Sequence, residues 1–214
     1  MKYFWLLTAA LCLMSTSFSD SAIAKNEMSF AVGDRQSGKN LAQNINNDPQ
    51  TAEEYIQRSI SYLRSQPPKV NEAIADLDRA IELNPDLYPA YLIRGQIYQQ
   101  LKKPNKALAD YNLAIELNPQ FSEAYSQRGI LYFGLQKFQK AQIDLDRAIN
   151  EFQFQTGSNY LYRGISNFKL GNVAQSKQDV EQASKLFAEQ GDRQREQFAK
   201  QFLYSLESDP TLNP

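Results

Sequence analysis

From Thr51 to about Ala188 the apolar positions recur at helical spacing, and the whole pattern then repeats. Tyr91, Gly95 and Tyr98 fall at i, i+4 and i+7 and mark one face of a first helix. A short break at Lys102, Lys103 and Pro104 follows. A second helix then carries Ala107, Tyr111, Ala114 and Ile115 inward, and Asn118-Pro119 stops it. The same order is written as Tyr55-x-x-Arg58-Ser59-x-x-Tyr62 before it and Tyr125-x-x-Arg128-Gly129-x-x-Tyr132 after it. A looser copy runs Tyr160-x-x-Arg163-Gly164, with Phe168 near the last aromatic slot. Repetition at a period of about 35 residues predicts an all-α solenoid of helix-turn-helix units. Four units are predicted, over about 51–87, 88–121, 122–156 and 157–188. Small residues, Gly95 with Ala107, Gly129 with Ala141, Gly164 with Ser176 and Ser59 with Ala73, let the two helices of a unit approach closely.

The flanks read differently. Lys2, the apolar run from Tyr3 to Met14 broken only by Thr8, and Ala22-Ile23-Ala24 predict a signal peptide over 1–24, cut after Ala24. The run is shorter than the roughly 20 residues a membrane-spanning helix needs. The protein is therefore expected to be exported, to a periplasm, a lumen or the exterior, with no membrane insertion after cleavage. Residues 25–50 are polar and Asn-rich and are expected to form a flexible leader. Near the other end, Gly191 breaks the pattern and Asp192 is placed to cap a further helix over 191–208, before a tail at 209–214. Its stripe of Phe198, Ala199, Phe202, Leu203 and Leu206 reads as a cap over the open end of the repeats, or as a docking helix.

Composition narrows the chemistry. There is no histidine, which removes the commonest general base and the commonest metal ligand. The one cysteine, Cys12, lies in the predicted signal peptide, so no disulfide or thiolate site is expected. A net charge of −1 gives no support to phosphate neutralisation, so nucleic acid is not an expected partner. No Gly-rich phosphate loop, serine elbow or metal-spaced cluster appears, and neither an enzyme nor a cofactor is expected.

The aromatic, glycine, tyrosine, alanine, aromatic, alanine and proline order resembles the tetratricopeptide repeat. The resemblance runs over about 51–188 and is tightest in the second unit. It departs at the two extra residues around Pro67-Pro68, at Phe152-Gln153 where the third unit should end in proline, and at Asn167 where a tyrosine is expected. It implies a right-handed superhelical solenoid of about four units with a C-terminal capping helix.

Each unit carries an arginine where that family more often has leucine, and an aspartate recurs in each second helix. Arg94 to Asp110, Arg128 to Asp144 and Arg163 to Asp179 are each 16 residues apart. Arg58 to Asp76 is 18 apart, the turn insertion accounting for the difference. Charges repeating at constant offset predict an ion pair across each hairpin that fixes its register, with a grip on an anionic partner as the other reading.

The resemblance further implies that first helices line a concave face. One residue past the tyrosine, that face reads Ile56, Ile60 and Leu63, then Leu92, Gln96 and Gln99, then Ser126, Ile130 and Phe133, then Leu161, Ile165 and Phe168. Chaperone-binding relatives grip a terminal carboxylate with cationic and amide groups on this face; here those places hold Ile56, Ile60, Ile93 and Gln127. An apolar, amide-rich groove suits an extended or helical protein segment, with Leu92, Ile130 and Phe133 expected to be incompletely buried. The competing expectation is that repeat packing and the C-terminal helix already cover the stripe. The leading function is thus an exported protein-interaction scaffold or assembly factor. The alternative is a structural repeat that self-associates through the Phe202-Leu203 helix.

Overall fold

The computed structural model describes residues 49–209 and 212, which contain nine α-helices and no strand. The predicted signal peptide and nearly all of the predicted leader lie outside the described residues. In chain order the helices are α1 (Ala52–Arg64), α2 (Val70–Leu83), α3 (Tyr88–Gln100), α4 (Pro104–Leu117), α5 (Ser122–Gly134), α6 (Phe138–Asp146), α7 (Gly157–Lys169), α8 (Val173–Glu189) and α9 (Arg193–Glu207). They pair as the periodicity predicts, α1 with α2, α3 with α4, α5 with α6 and α7 with α8. Two compact units result, one closing at Asn118 and one opening at Pro119.

Local signals set the helix ends. At the start of α1, Thr51 Oγ1 accepts from Glu54 N at 3.2 Å while the Glu54 carboxylate accepts from Thr51 N at 3.1 Å, a reciprocal cap. Bonds from Gln50 N and Thr51 N hold the Glu54 carboxyl below its usual range. Pro104 opens α4 at a position where a missing N–H costs nothing. Asn84 and Asn118 are extended because a proline follows each, which ends α2 and α4. Between first and second helices the chain reverses through a left-handed residue, Lys102, Gln136 or Gly171, and the next N–H reaches back six-to-one to Tyr98, Tyr132 or Asn167 at 2.8–2.9 Å.

The first unit has one continuous core. Ile56, Ile60 and Leu63 of α1 meet Leu77 and Ala80 of α2 and Ile93 and Ile97 of α3. The second unit buries Leu145, Ile149, Val180 and Phe187 from its second helices. There Tyr125 to Tyr160 spans 35 residues, against 34 from Tyr91 to Tyr125. The extra residue is taken up where α6 widens into a π-helical turn, Arg147–Glu151, closed by Phe152 N to Arg147 O at 3.1 Å. Phe152 then packs at a tilt against Tyr125 at 5.4 Å, near the place where the first two hairpins have Pro85 and Pro119.

The helix crossings bring the expected small residues together, a Cβ on Gly129 or Gly164 falling 3.3 Å from the backbone oxygen of Ala141 or Ser176, and a bulky neighbour stands closer still. A Cβ on Gly95 would lie 2.7 Å from the Tyr111 ring; on Gly129, 2.9 Å from Leu145; on Gly164, 2.9 Å from Val180. The bulky side chain four residues beyond the alanine slot fills the space that glycine leaves.

The C-terminal helix turns its stripe inward. Ala199, Phe202 and Leu206 are buried, with α9 lying along α8 and Phe202 edge-on to Phe168 of α7 at 5.6 Å. Asp192 caps it, accepting from Arg195 N at 3.0 Å. Among the described residues no helix is long and apolar enough to cross a membrane.

Candidate functional site

Each repeat arginine forks onto its aspartate. Arg58 Nε and Nη2 donate to the two Asp76 oxygens at 2.8 and 2.8 Å. The same fork joins Arg94 to Asp110 at 3.0 and 2.7 Å, Arg128 to Asp144 at 2.7 and 2.8 Å, and Arg163 to Asp179 at 3.0 and 2.6 Å. Two antiparallel helices place residues 16 apart at facing turns, and a planar guanidinium matches a carboxylate edge. Tyrosine rings flank the cation: Tyr91 and Tyr98 lie 5.6 and 6.0 Å from Arg94, and Tyr125 and Tyr132 equally far from Arg128. The third edge of the guanidinium reaches the preceding hairpin, Arg94 Nη1 to Asp78 at 2.6 Å and Arg163 Nη1 to Asp146 at 2.9 Å. Burial alone would pull the Arg94 guanidinium down, but the bonds and charges of Asp110 and Asp78 outweigh it and hold it above its ordinary value. In the fourth repeat, Asn167 replaces the second tyrosine and donates to Asp179 at 3.0 Å while accepting from Gln142 at 2.6 Å. The forks spend their donors inside the fold, which favours the register reading over a grip on an outside anion.

The predicted groove residues divide sharply. Eight of the twelve named candidates are buried: Ile56, Ile60, Leu63, Leu92, Ser126, Phe133, Leu161 and Ile165. Gln96, Gln99, Ile130 and Phe168 remain partly exposed. The expectation that Leu92 and Phe133 are incompletely buried is corrected, since Leu92 is 8% and Phe133 1% exposed. The physical reason is that this stripe also meets neighbouring elements. Ile56, Ile60 and Leu63 share a core with Ile93 and Ile97; Phe133 lies 4.9 Å from the Tyr162 ring; Ser126 Oγ donates to Asn159 Oδ1 at 2.6 Å. Burial pushes the Tyr162 hydroxyl up to about 12.

What is left of the face is amide-rich. Gln99 Oε1 accepts from the hydroxyl of Tyr111, itself wholly buried, at 2.8 Å. Gln100, absent from the sequence-derived set, has its Oε1 buried with no hydrogen-bond partner. Its place four residues after Gln96 is the signal that would have found it. Among the described residues no group of three His, Cys, Asp or Glu could hold a metal ion.

Comparison with known proteins follows the same lines. A tetratricopeptide repeat is found at residues 88–121. No curated protein matches the sequence. Among solved structures, the chain is similar to the first TPR domain of Spaghetti (RPAP3) bound to the HSP90 peptide SRMEEVD, at 28% identity over 58% of this chain and 96% of that one, with a TM-score of 0.53. It is also similar to MamA, at 18% identity, 78% and 99% coverage and a TM-score of 0.59. Pseudomonas aeruginosa PilF is similar at 16% identity, 72% and 75% coverage and a TM-score of 0.54. These likenesses show the fold, helix-turn-helix repeats of the tetratricopeptide kind.

Proposed function

We propose that this chain is an exported protein-interaction scaffold whose first-helix faces hold a segment of another protein. The observation that carries the reading is the residual surface of those faces within each unit taken by itself: Gln96 and Gln99 in the first, Ile130 and Phe168 in the second, uncharged and set on helices locked by the arginine forks. The peptide held by the RPAP3 repeat domain supports a protein segment as the class of ligand. Its acidic sequence does not suit this face, because the places expected to grip a carboxylate hold the buried Ile56, Ile60 and Ile93 and the uncharged Gln127. Export rests on the Lys2, apolar run and Ala22-Ile23-Ala24 order.

The test uses protein beginning at Lys25 as bait, with Gln96→Glu and Ile130→Glu as variants. Both positions are partly exposed, so melting should stay within a few degrees of wild type. Capture of the partner should fall at least about tenfold, because an uncompensated charge at a desolvated contact costs more than about 1.4 kcal/mol. Undiminished capture by both variants moves the interaction off the first helices.

A further inference from the structure

The first unit carries its charge at two opposite ends. Its paired helices run antiparallel, so the α1–α2 and α3–α4 turns share one end, and α2 packing on α3 sets them side by side. All four of the unit's described lysines stand there, exposed: Lys69 just before α2, and Lys102, Lys103 and Lys106 around the start of α4. Arg64 closes α1 at the same end, and Glu72 is the one acid among them. The far end holds Glu53, Glu54, Glu82, Asp86 and Glu116, with Arg79 already paired to Glu82 at 2.8 Å. With five cations and one acid the turn end carries a net +4; five acids and one cation give the far end −4.

Stability does not account for these lysines. Lys69 and Lys103 occupy N-cap positions without a side-chain capping bond, and Lys106 lies in the first turn of α4, where the helix dipole repels a cation. Lys102 takes a φ of 55°, the left-handed turn position that Gly171 fills in the fourth hairpin at no steric cost. Lys69 and Lys106 lie over the Tyr62 and Tyr98 rings at 5.6 and 5.2 Å, but among the described residues no carboxylate pairs with any of the four.

We infer that the turn end of the first unit docks on an anionic lipid surface, with its lysines among the headgroup phosphates. The partner follows from charge complementarity and from the choice of cation. Where one carboxylate must be held in a fixed plane, this unit uses arginine, as in the Arg58 and Arg94 forks. Lysine is a hydrated point charge on a flexible stem, which suits phosphates that shift laterally better than a carboxylate fixed on a folded protein. Leu101, 37% exposed beside Lys102, adds an apolar tip to the same turn. The acidic far end is repelled by such a surface, so the two ends together orient the unit upon it. This surface is separate from the first-helix groove and does not depend on what that groove holds.

The experiment sediments the protein beginning at Lys25 with phosphatidylcholine vesicles containing about one-third phosphatidylglycerol, at about 0.05 M and about 0.5 M salt. Binding is expected at the lower salt, lost at the higher, and absent with phosphatidylcholine alone. Lys102→Gln with Lys103→Gln and Lys106→Gln should weaken it at least about tenfold, because each lysine near an anionic bilayer adds to the attraction. The melting temperature of that variant should hold or rise, since cations leave a helix N-terminus. Glu53→Gln with Glu82→Gln and Glu116→Gln changes the net charge equally at the far end and should alter binding less than about threefold. Equal and opposite effects of the two triple variants would reduce the binding to net charge and overturn a docking end. Vesicle binding untouched by the lysine variant, no binding at low salt, or binding to polyglutamate instead of vesicles would overturn the lipid surface as partner.

Discussion

A guanidinium forked onto one carboxylate and flanked by tyrosine rings has almost no conformational freedom left to lose, so its worth depends on how dry its surroundings are. The four repeats provide a graded series. The Arg58 side chain is 23% exposed and that of Arg94 18%, while Arg163 is 8% exposed and its aspartate 2%. Arg163 also holds Asp146, and its aspartate takes a further bond from Asn167. Removing the cation strands a buried carboxylate, which in a well-buried pair costs about 3–5 kcal/mol and in an exposed one under about 1 kcal/mol. Arg163→Leu is therefore expected near the upper range and Arg58→Leu well below it, read as shifts in the urea midpoint. Arg163→Leu with Asp179→Leu should recover part of the loss. Equal costs for the two arginines, or no coupling between Arg163 and Asp179, would contradict a burial-graded ion pair.

At the scale of the helix pair, glycine 95 matters for what it omits. Alanine is the better helix former by about 1 kcal/mol, and on an open helix the exchange would stabilise. Here the new methyl would stand 2.7 Å from the Tyr111 ring, and that ring is wholly buried with its hydroxyl tied to Gln99. Gly95→Ala is expected to cost about 1–3 kcal/mol as overpacking, and to loosen the Gln99 amide, visible as faster exchange of its side-chain protons. A stabilised variant would mean that the crossing has slack. The helices were legible in the sequence because periodicity, proline and asparagine stops and the turn residues act locally. The crossing was legible in outline: glycine announces close approach, but not that the Tyr111 ring stands nearest to Gly95. The groove was half legible. Spacing at i, i+4 and i+7 identifies a face, yet Ile60 and Ile97 meet across more than thirty residues of chain, and only three dimensions show that the face is covered. The π turn was hidden for a similar reason, since one surplus residue says nothing of where the helix absorbs it.

Over the whole molecule, the decisive question is what the last helix does with its apolar stripe. A helix kept for self-association would present Phe202 and Leu203 outward, but Phe202 is buried within the chain and Leu203 is only partly exposed, and Leu206 and Phe187 are buried as well. The outward face instead carries Gln194, Gln197, Gln201 and Tyr204, the last 71% exposed. An open-ended repeat needs such a lid, because its final hairpin has no successor to cover it. Cutting the chain after Gly191 should thus destabilise the second unit. Loss of two fully buried large side chains removes about 3–6 kcal/mol of apolar burial, enough to lower melting by about 10 °C or more in a chain of this size. The newly bared Phe168 and Phe187 should make the truncated protein bind a hydrophobic dye and self-associate in light scattering, while the protein ending at Pro214 scatters as a monomer. The opposite pair of results, a dimer that becomes a stable monomer on truncation, would make α9 the self-association surface and reverse the assignment.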